Sequence, residues 1–217
     1  MSKTGSLGEF ERIAAYFAPL AAPEALDLKD DAAIMAPGAG TEIVLTTDTM
    51  VGGVHFFADD PPDLIARKLL RVNLSDLASM GARPRGYLLA SAWRRDTPDD
   101  WIARFAGGLA ADQKLFGALL LGGDTTATDG PVTLTLTAIG EVAAGRALRR
   151  NAARAGHEVW VSGTIGDAAL GLRVRRGEAL GDASAASDLL ARHQLPTPRL
   201  ALGQALSGRG GAAIDIS

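Results

Sequence analysis

The chain has 217 residues, of which 47% are hydrophobic and 22% charged, so it has enough apolar material for one large or two small soluble domains. Its formal net charge of -3 gives no support to a nucleic-acid-binding or membrane-surface protein. The absence of cysteine excludes disulfides, zinc–thiolate sites, iron–sulfur clusters and cysteine nucleophiles. No apolar run approaches the ~18 residues of a membrane helix, and residues 1–8 lack the apolar core of a secretory signal, so we expect a cytoplasmic protein.

The first predicted elements are a short helix and a strand. Residues 6–9 form a capping-box pattern, and apolar residues follow at helical spacing as far as Phe17. Residues 42–49 are β-branched or aliphatic and partly alternating, which predicts a strand that ends at Asp48.

A helix is predicted from Pro62 to Met80, because proline is favoured in a first turn and Gly81 follows the end. At about 100° per residue, one stripe of this helix faces the core. The stripe consists of Ile65, Leu69, Val72, Asn73, Asp76 and Met80. A buried carboxylate without a partner is costly, so we expect Asp76 to face a cation or several hydrogen-bond donors.

Further elements follow in chain order. The patterns predict strands at 87–92 and 119–121, a helix at 101–116 weakened by two central glycines, strands at 132–139 and 158–162, and a helix from about 167. The strand at 132–139 has an aliphatic face and a threonine face, and we expect its exposed edge to pair in a homodimer. We place a domain boundary near 142–155, with one domain at residues 1–145 and the first part of a second at 146–217.

Acidic residues recur at element ends or on apolar faces, where a solvated charge is unexpected. They are Asp30 and Asp31, Asp48, Asp76, Asp124 and Asp215. Any one of these is commonly a helix cap or a turn residue, but together they favour a cation site. Oxygen ligands without cysteine select Mg²⁺, which a few carboxylates hold together with substrate phosphates during phosphoryl transfer. The backbone amides of Gly122 and Gly123 would let a phosphate approach closely.

Familiar nucleotide-binding signatures are absent. The sequence contains no P-loop and no protein-kinase catalytic loop. It has only four lysines, so the charge on bound phosphates would be met by metal and arginine. Arginines cluster at 146–154, and this cluster fits a phosphate-binding arm and a solvated loop equally well.

Seven sequence segments carry a family resemblance. They are GEF at 8–10, DDAA at 30–33, TTDT at 46–49 with GVHF at 53–56, NLSDLASMGA at 73–82, GGDTT at 122–126, GRALRR at 145–150 and VSGTIGD at 161–167. Their order is that of thiamine-monophosphate kinases, which the chain resembles over essentially its whole length. The segments at 73–82 and 122–126 are the most specific.

This resemblance implies a fold and a reaction. The superfamily includes aminoimidazole-ribonucleotide synthetase and selenophosphate synthetase and has an α/β (α+β) fold of two domains. The N-terminal mixed sheets, with their helices, pair into a barrel across a dimer, and ATP binds in the cleft between domains. The implied reaction is Mg²⁺-dependent transfer of the γ-phosphoryl group of ATP to thiamine monophosphate, giving thiamine diphosphate. Residues 1–145 would be the ATP-binding, magnesium-binding and dimerisation domain, and the second α/β domain would be incomplete.

The resemblance also assigns roles residue by residue. Several magnesium ions would be held by Asp31, Thr46, Thr47, Asp48, Asp76, Asp124 and Asp215. ATP would contact Gly123, Asp124, Arg150 and Ser217. His55 would contact the thiamine phosphate, although from the residues alone it reads as a structural histidine. No general base is assigned, because the acceptor phosphate is already an anion.

The chain departs from the family pattern at two places. Lys29 stands where a glycine usually precedes the Asp-Asp pair. The chain also stops within an apolar segment at 213–217, so we expect the native polypeptide to continue and the 217-residue chain by itself to lack kinase activity. The alternatives are another ATP-dependent synthetase or kinase of the superfamily, a metal-dependent phosphohydrolase and a non-catalytic nucleotide-binding homologue. The retained acidic residues argue against the last, and the lack of cysteine argues against selenophosphate synthetase.

Overall fold

The computed structural model describes residues 7–179, 182–209 and 211–216. The strands in this part of the chain are β1 (Thr41–Val51), β2 (Arg83–Arg94), β3 (Leu119–Thr128) and β4 (Thr133–Ala143). They form a mixed sheet in the order β1-β4-β2-β3, in which β2 and β3 are parallel and the other two pairs are antiparallel. The chain therefore has the mixed α/β architecture expected from its sequence.

The helices confirm the main helical predictions. Those in the described residues are α1 (Glu9–Arg12), α2 (Pro62–Ser79), α3 (Asp99–Phe116), α4 (Asp167–Arg175), α5 (Ala183–Gln194) and α6 (Leu200–Leu206). A π-helical turn follows α1 at Ile13–Phe17, and 3-10 turns lie at Ala18–Leu20, Pro23–Leu28 and Arg150–Ala152. Within the described ranges, no helix combines the length and apolar content that a bilayer span needs.

Helices α2 and α3 cover one face of the sheet and enclose the core. Strand β4 turns Leu134 and Leu136 toward this face, where both are fully buried, and turns threonines to the other face, as its alternation predicts. Edge-to-face contacts join Trp93 of β2 to Trp101 and Phe105 of α3, with ring centroids 5.7 and 5.4 Å apart. The uncovered face carries exposed apolar side chains at Ile43, Leu45 and Leu88.

Strand β1 is longer than its sequence pattern predicts. We expected it to end at Asp48, but it continues to Val51, so Asp48 lies inside the strand. The reason is tertiary, because β1 remains paired with β4 as far as the contact between Val51 and Thr133.

Strand β3 also continues beyond its predicted end. It runs through the two glycines to Thr128, so Asp124 lies within the strand instead of following it. Pairing with β2 offsets the weak strand propensity of glycine. At Gly123 the backbone has φ of 153°, and a Cβ there would lie 1.8 Å from the carbonyl oxygen of Leu89. This close approach of two strands requires glycine.

Strand β4 lies inside the sheet, and the expectation of an exposed edge was wrong. Its backbone pairs with β1 on one side and with β2 on the other, so the edge strands are β1 and β3. Alternation predicted correctly which side chains of β4 are buried. Side-chain alternation carries no information on how many neighbouring strands a strand has, because strands pair through backbone N–H and C=O groups.

One further prediction differs from the structure. Residues 158–162 form no strand, and Val159 and Trp160 are 93% and 84% exposed, since no strand lies beside them in the described part of the chain. At the N-terminus, the amide of Gly8 donates to Oε2 of Glu11 at 2.8 Å, which is the glutamate half of a capping-box contact. The box predicted at 6–9 includes residue 6, which lies outside the described residues.

Candidate functional site

The site begins where α2 crosses β1. Thr46 and Asp48 are two residues apart in β1, so their side chains lie on the same face of the strand, the one that α2 covers. Asp76 lies half-buried on α2, and the hydroxyl of Thr46 donates to its Oδ2 at 2.6 Å. Of the cation or several donors expected for Asp76, the structure shows this one donor, which brings Thr46 and Asp76 together.

Electrostatics join Asp48 and Asp215 to this pair. Burial raises the pKa of Asp48, the charges of Asp76 and Asp215 raise it further, and His55 opposes this rise. Burial likewise raises the pKa of Asp76, with a further rise from Asp215, while the hydrogen bond from Thr46 lowers it. Three carboxylates from β1, α2 and residues 211–216 therefore repel one another in a partly buried space.

Arg150 is the cation whose charge acts on the pKa of Asp76. It lies exposed at the start of a 3-10 turn, and its charge lowers the pKa of Asp76. An arginine beside carboxylates that repel one another can also hold an anionic ligand, because its guanidinium presents several donors. Of the two interpretations left open for the arginine cluster, the phosphate-binding arm gains support at Arg150.

The imidazole of His55 has a defined hydrogen-bond partner. Its Nδ1 accepts from the backbone amide of Val51 at 3.0 Å. Because Nδ1 is an acceptor in this contact, a neutral His55 carries its proton on Nε2. The free side of the exposed ring is then a donor, which suits an anion and does not suit a group that must remove a proton.

The carboxylates of this site suit a magnesium ion that is shared with a bound phosphate. Across residues 7–179, 182–209 and 211–216, no three carboxylate, imidazole or thiol side chains form a group that could hold a metal ion by themselves. Mg²⁺ is commonly bound by one or two carboxylates together with water and substrate phosphates. The oxygen ligands of Asp48, Asp76 and Asp215, whose mutual repulsion a cation would relieve, fit that kind of site.

Other predicted residues lie elsewhere in the fold. The side chain of Thr47 is on the opposite face of β1, where its hydroxyl donates to the carbonyl oxygen of Leu136 at 3.2 Å. Asp124 pairs with Ala90 on that same uncovered face, and Asp31 is exposed in the loop before β1. Ser217 lies outside the described residues.

Asp124 and Asp48 are far apart along the sheet. They lie on the two edge strands, β3 and β1, with β2 and β4 between them. Three strand spacings of ~4.8 Å separate these edges by about 14 Å. Gly123, which precedes Asp124, lies at the same distance from β1.

Sequence reasoning missed one residue that contacts this region. Arg175 of α4 bridges to Asp59 and Asp60, in the loop that carries His55. The contact spans more than a hundred positions, and no motif or spacing connects its partners. The acidic pair next to a glycine-rich loop was the only available signal that a cation would be needed there.

Several thiamine-monophosphate kinases are similar to this chain in sequence and in structure. The thiamine-monophosphate kinase of Caulobacter vibrioides is 45% identical over 211 residues, which are 96% of this chain and 59% of that protein. The solved thiamine-monophosphate kinase of Stenotrophomonas maltophilia K279a is 43% identical with a TM-score of 0.73, over 82% of this chain and 57% of that one. AaThiL complexed with AMPPCP and TMP is 27% identical with a TM-score of 0.73, over 95% of this chain and 66% of that one.

The matched length sets the scope of these findings. The chain spans between 57% and 66% of the length of these three relatives. The family described as AIR synthase related protein, N-terminal domain, matches residues 29–142, which are more than half of the chain and include β1, α2, β2, α3, β3 and most of β4. The chain therefore belongs to the AIR synthase related protein family.

Proposed function

We propose that the protein transfers the γ-phosphoryl group of ATP to the phosphate of thiamine monophosphate, giving thiamine diphosphate. The observation that carries this proposal is the cluster of Asp48, Asp76 and Asp215, with Thr46, His55 and Arg150 around it. Acidic ligands, a basic side chain and an exposed donor imidazole are the groups that metal-assisted transfer between two phosphates requires. The 45% identical relative named thiamine-monophosphate kinase supports the choice of acceptor.

We assign the metal ligands and the nucleotide contacts as follows. Asp48, Asp76 and Asp215 would hold Mg²⁺ with Thr46. Asp31 and Asp124 of the partner subunit would complete the ligand set, and Thr47, whose side chain lies on the other face of β1, would contribute through its backbone oxygen. Arg150, Gly123, Asp124 and Ser217 would contact ATP. Bound Mg²⁺ neutralises negative charge on the phosphate oxygens, which lowers the repulsion between two anionic reactants.

The remaining chemistry needs orientation and no general base. An oxygen of the acceptor phosphate forms a bond to the γ-phosphorus, and the bond from that phosphorus to the bridging oxygen of ADP breaks, leaving the electron pair on ADP. The acceptor oxygen is already deprotonated, so no residue has to remove a proton. His55 suits the task of orienting the acceptor, because its Nε2–H points away from the bond to Val51.

We further propose a homodimer that uses the uncovered sheet face, where Ile43, Leu45 and Leu88 are exposed. Within one chain, Asp124 and Asp48 are separated by about 14 Å, which is too far for both to bind the same metal ion. In a dimer that joins edge strands, Asp124 of the partner subunit would complete a site that one chain leaves open.

The test is an assay of the intact native polypeptide that follows ATP, ADP, inorganic phosphate, thiamine monophosphate and thiamine diphosphate together. The proposal predicts equal amounts of ADP and thiamine diphosphate, formed only when both Mg²⁺ and thiamine monophosphate are present. Release of inorganic phosphate without an acceptor would instead identify a phosphohydrolase. Nucleotide binding without turnover would identify a non-catalytic homologue.

A further inference from the structure

The His55 loop, residues 52–60, connects β1 to α2 and has internal hydrogen bonds. The amide of Gly53 donates to the carbonyl oxygen of Phe56 at 2.8 Å, and the amide of Phe57 donates to Oδ2 of Asp60 at 2.8 Å. These bonds shape the two ends of the loop separately. The first half of the loop is anchored elsewhere, because the amide of Gly52 donates to the carbonyl oxygen of Val132 at 2.9 Å and Phe56 is buried in the core. The position of the second half, residues 57–60, depends on contacts with other elements.

Arg175 of α4 contacts residues 57, 59 and 60 of the loop. Its Nε lies 2.7 Å from Oδ1 of Asp60, and its Nη2 lies 2.5 Å from Oδ1 of Asp59. The guanidinium also stacks over the ring of Phe57, with 4.4 Å from Cζ to the ring centroid. The side chains of Arg175 and Asp60 are only 19% and 10% exposed, so this ion pair is shielded from solvent.

Lys68 of α2 holds the same loop from another side. Its ammonium group donates to the carbonyl oxygen of His55 at 3.4 Å. The loop is therefore contacted by α2 at His55 itself and by α4 at residues 57–60. The imidazole is also bonded to Val51 at the end of β1, so its reach toward an acceptor depends on where the loop lies.

We propose that Arg175 is a positioning residue that holds the His55 loop so that the His55 imidazole meets the acceptor phosphate. This inference rests on the proposed function, in which His55 orients the acceptor. Arg175 acts in two ways. It fixes the loop through three contacts, and it neutralises Asp59 and Asp60, whose charges would otherwise repel an anionic acceptor.

Lysine cannot replace arginine here without loss. An ammonium group is a compact charge and cannot bridge two carboxylates while stacking flat on an aromatic ring. Arg175→Lys should therefore retain the neutralising charge and lose the geometry, whereas Arg175→Met loses both. The two variants separate the contribution of charge from that of position.

The experiment measures steady-state kinetics and hydrogen exchange on the intact native polypeptide with Arg175→Met. We expect kcat/KM for thiamine monophosphate to fall by about tenfold or more, as misplaced reacting groups typically cause. We expect the KM for ATP to stay unchanged and hydrogen exchange in residues 52–60 to speed up. Arg175→Lys should lie between the wild type and Arg175→Met in each readout.

Arg173→Met is the matched control, because Arg173 lies on the same helix and pairs with Glu178 in an exposed contact. It should change neither the kinetics nor the exchange. Equal losses for ATP and thiamine monophosphate, or unchanged exchange at 52–60 in Arg175→Met, would overturn the positioning role alone. Absence of thiamine monophosphate turnover in the unchanged protein would reject the proposed function, and this inference with it.

Discussion

At the scale of single residues, the site contains carboxylates whose ionised form is disfavoured by burial and by neighbouring negative charge. Burial raises the pKa of both Asp48 and Asp76, and Asp215 adds repulsion to each. An ionised aspartate at such a place destabilises the folded state, because the same group in the unfolded chain is fully solvated. Functional sites commonly retain such groups at a cost to stability.

Asp48→Asn should stabilise the folded protein at neutral pH. The folded-state pKa of Asp48 lies above its unfolded value, so folding takes up protons and the free energy of unfolding falls as pH rises through the folded pKa. Removal of the charge should therefore raise the melting temperature of the protein at pH 7–8 and leave it unchanged below the unfolded pKa. Thermal unfolding of both proteins, measured without divalent cations between about pH 3 and pH 8, tests this.

Asp96→Asn is the control for that measurement. Asp96 is exposed, and its hydrogen bond with Arg94 lowers its pKa, so loss of this charge should not stabilise the protein at neutral pH. A melting temperature of Asp48→Asn at or below that of the wild type at pH 8 would contradict the account of the site.

At the scale of elements, the contact between α2 and α3 depends on one of two adjacent glycines. A Cβ at Gly108 would lie 2.3 Å from the carbonyl oxygen of Asp63, whereas a Cβ at Gly107 would meet nothing within 4 Å. Gly108→Ala should therefore force the helices apart and destabilise the protein by about 1–3 kcal/mol. Gly107→Ala should stabilise it by about 0.5–1 kcal/mol, because alanine is the better helix former.

Chemical denaturation of the two glycine variants measures both effects. The opposite signs at neighbouring positions are the essential result. Equal stability changes would mean that the helix contact does not depend on Gly108.

A buried ion pair also joins these two helices. Asp112 of α3 is 1% exposed, and Arg71 of α2 contacts it at 2.6 and 3.0 Å, with Arg67 at 3.0 Å. Asp112→Ala would leave Arg71 buried without a counter-charge, so we expect a loss of about 3–5 kcal/mol. The exposed pair Arg94–Asp96 supplies the comparison, where Asp96→Ala should cost less than about 1 kcal/mol. Urea denaturation measures the loss of stability in each variant. Similar losses in the two variants would contradict the burial of the ion pair between Asp112 and Arg71.

Hydrophobic periodicity predicted correctly those helices and strands whose extent is set by their own sequence pattern. The apolar stripe of α2 and the alternation at 132–139 are local properties, and the structure has both elements near the predicted bounds. The ends of β1 and β3 depend on pairing with β4 and β2, so the ends predicted from the sequence pattern came too early in both strands. Residues 158–162 have a strand-like composition, but they lie beside no other strand in the described residues.

At the scale of the whole molecule, the sequence offers candidate site residues but little information on how they are arranged. Asp76 was identified from its position on an apolar stripe, and the bond from Thr46 confirms that it has a donor. The convergence of Asp31 and Asp124 on the same site stays a prediction. Motif order records neither the sheet face that a side chain occupies nor the distance between edge strands, which is why Asp124 was grouped with Asp48.

Mixed dimers test whether Asp124 acts across a subunit interface. Asp48→Asn and Asp124→Asn should each abolish kinase activity, whereas subunit exchange between them should restore about a quarter of the wild-type turnover. The reason is that half of the dimers would be mixed, and each of these would have one site with both aspartates intact. No recovery after verified subunit exchange would place both residues in a site within one chain.

Asp48, Asp76 and Asp215 should form a magnesium-dependent nucleotide site, and calorimetric titration with a non-hydrolysable ATP analogue measures whether they do. The wild-type protein should bind the analogue with Mg²⁺ and lose most of this affinity when the metal is removed with EDTA. Asp76→Asn should abolish the effect of Mg²⁺ while its melting temperature stays at or above that of the wild type, since a destabilising charge has been removed. Asp96→Asn should bind as the wild type does. Unchanged Mg²⁺-dependent binding in Asp76→Asn would contradict the account.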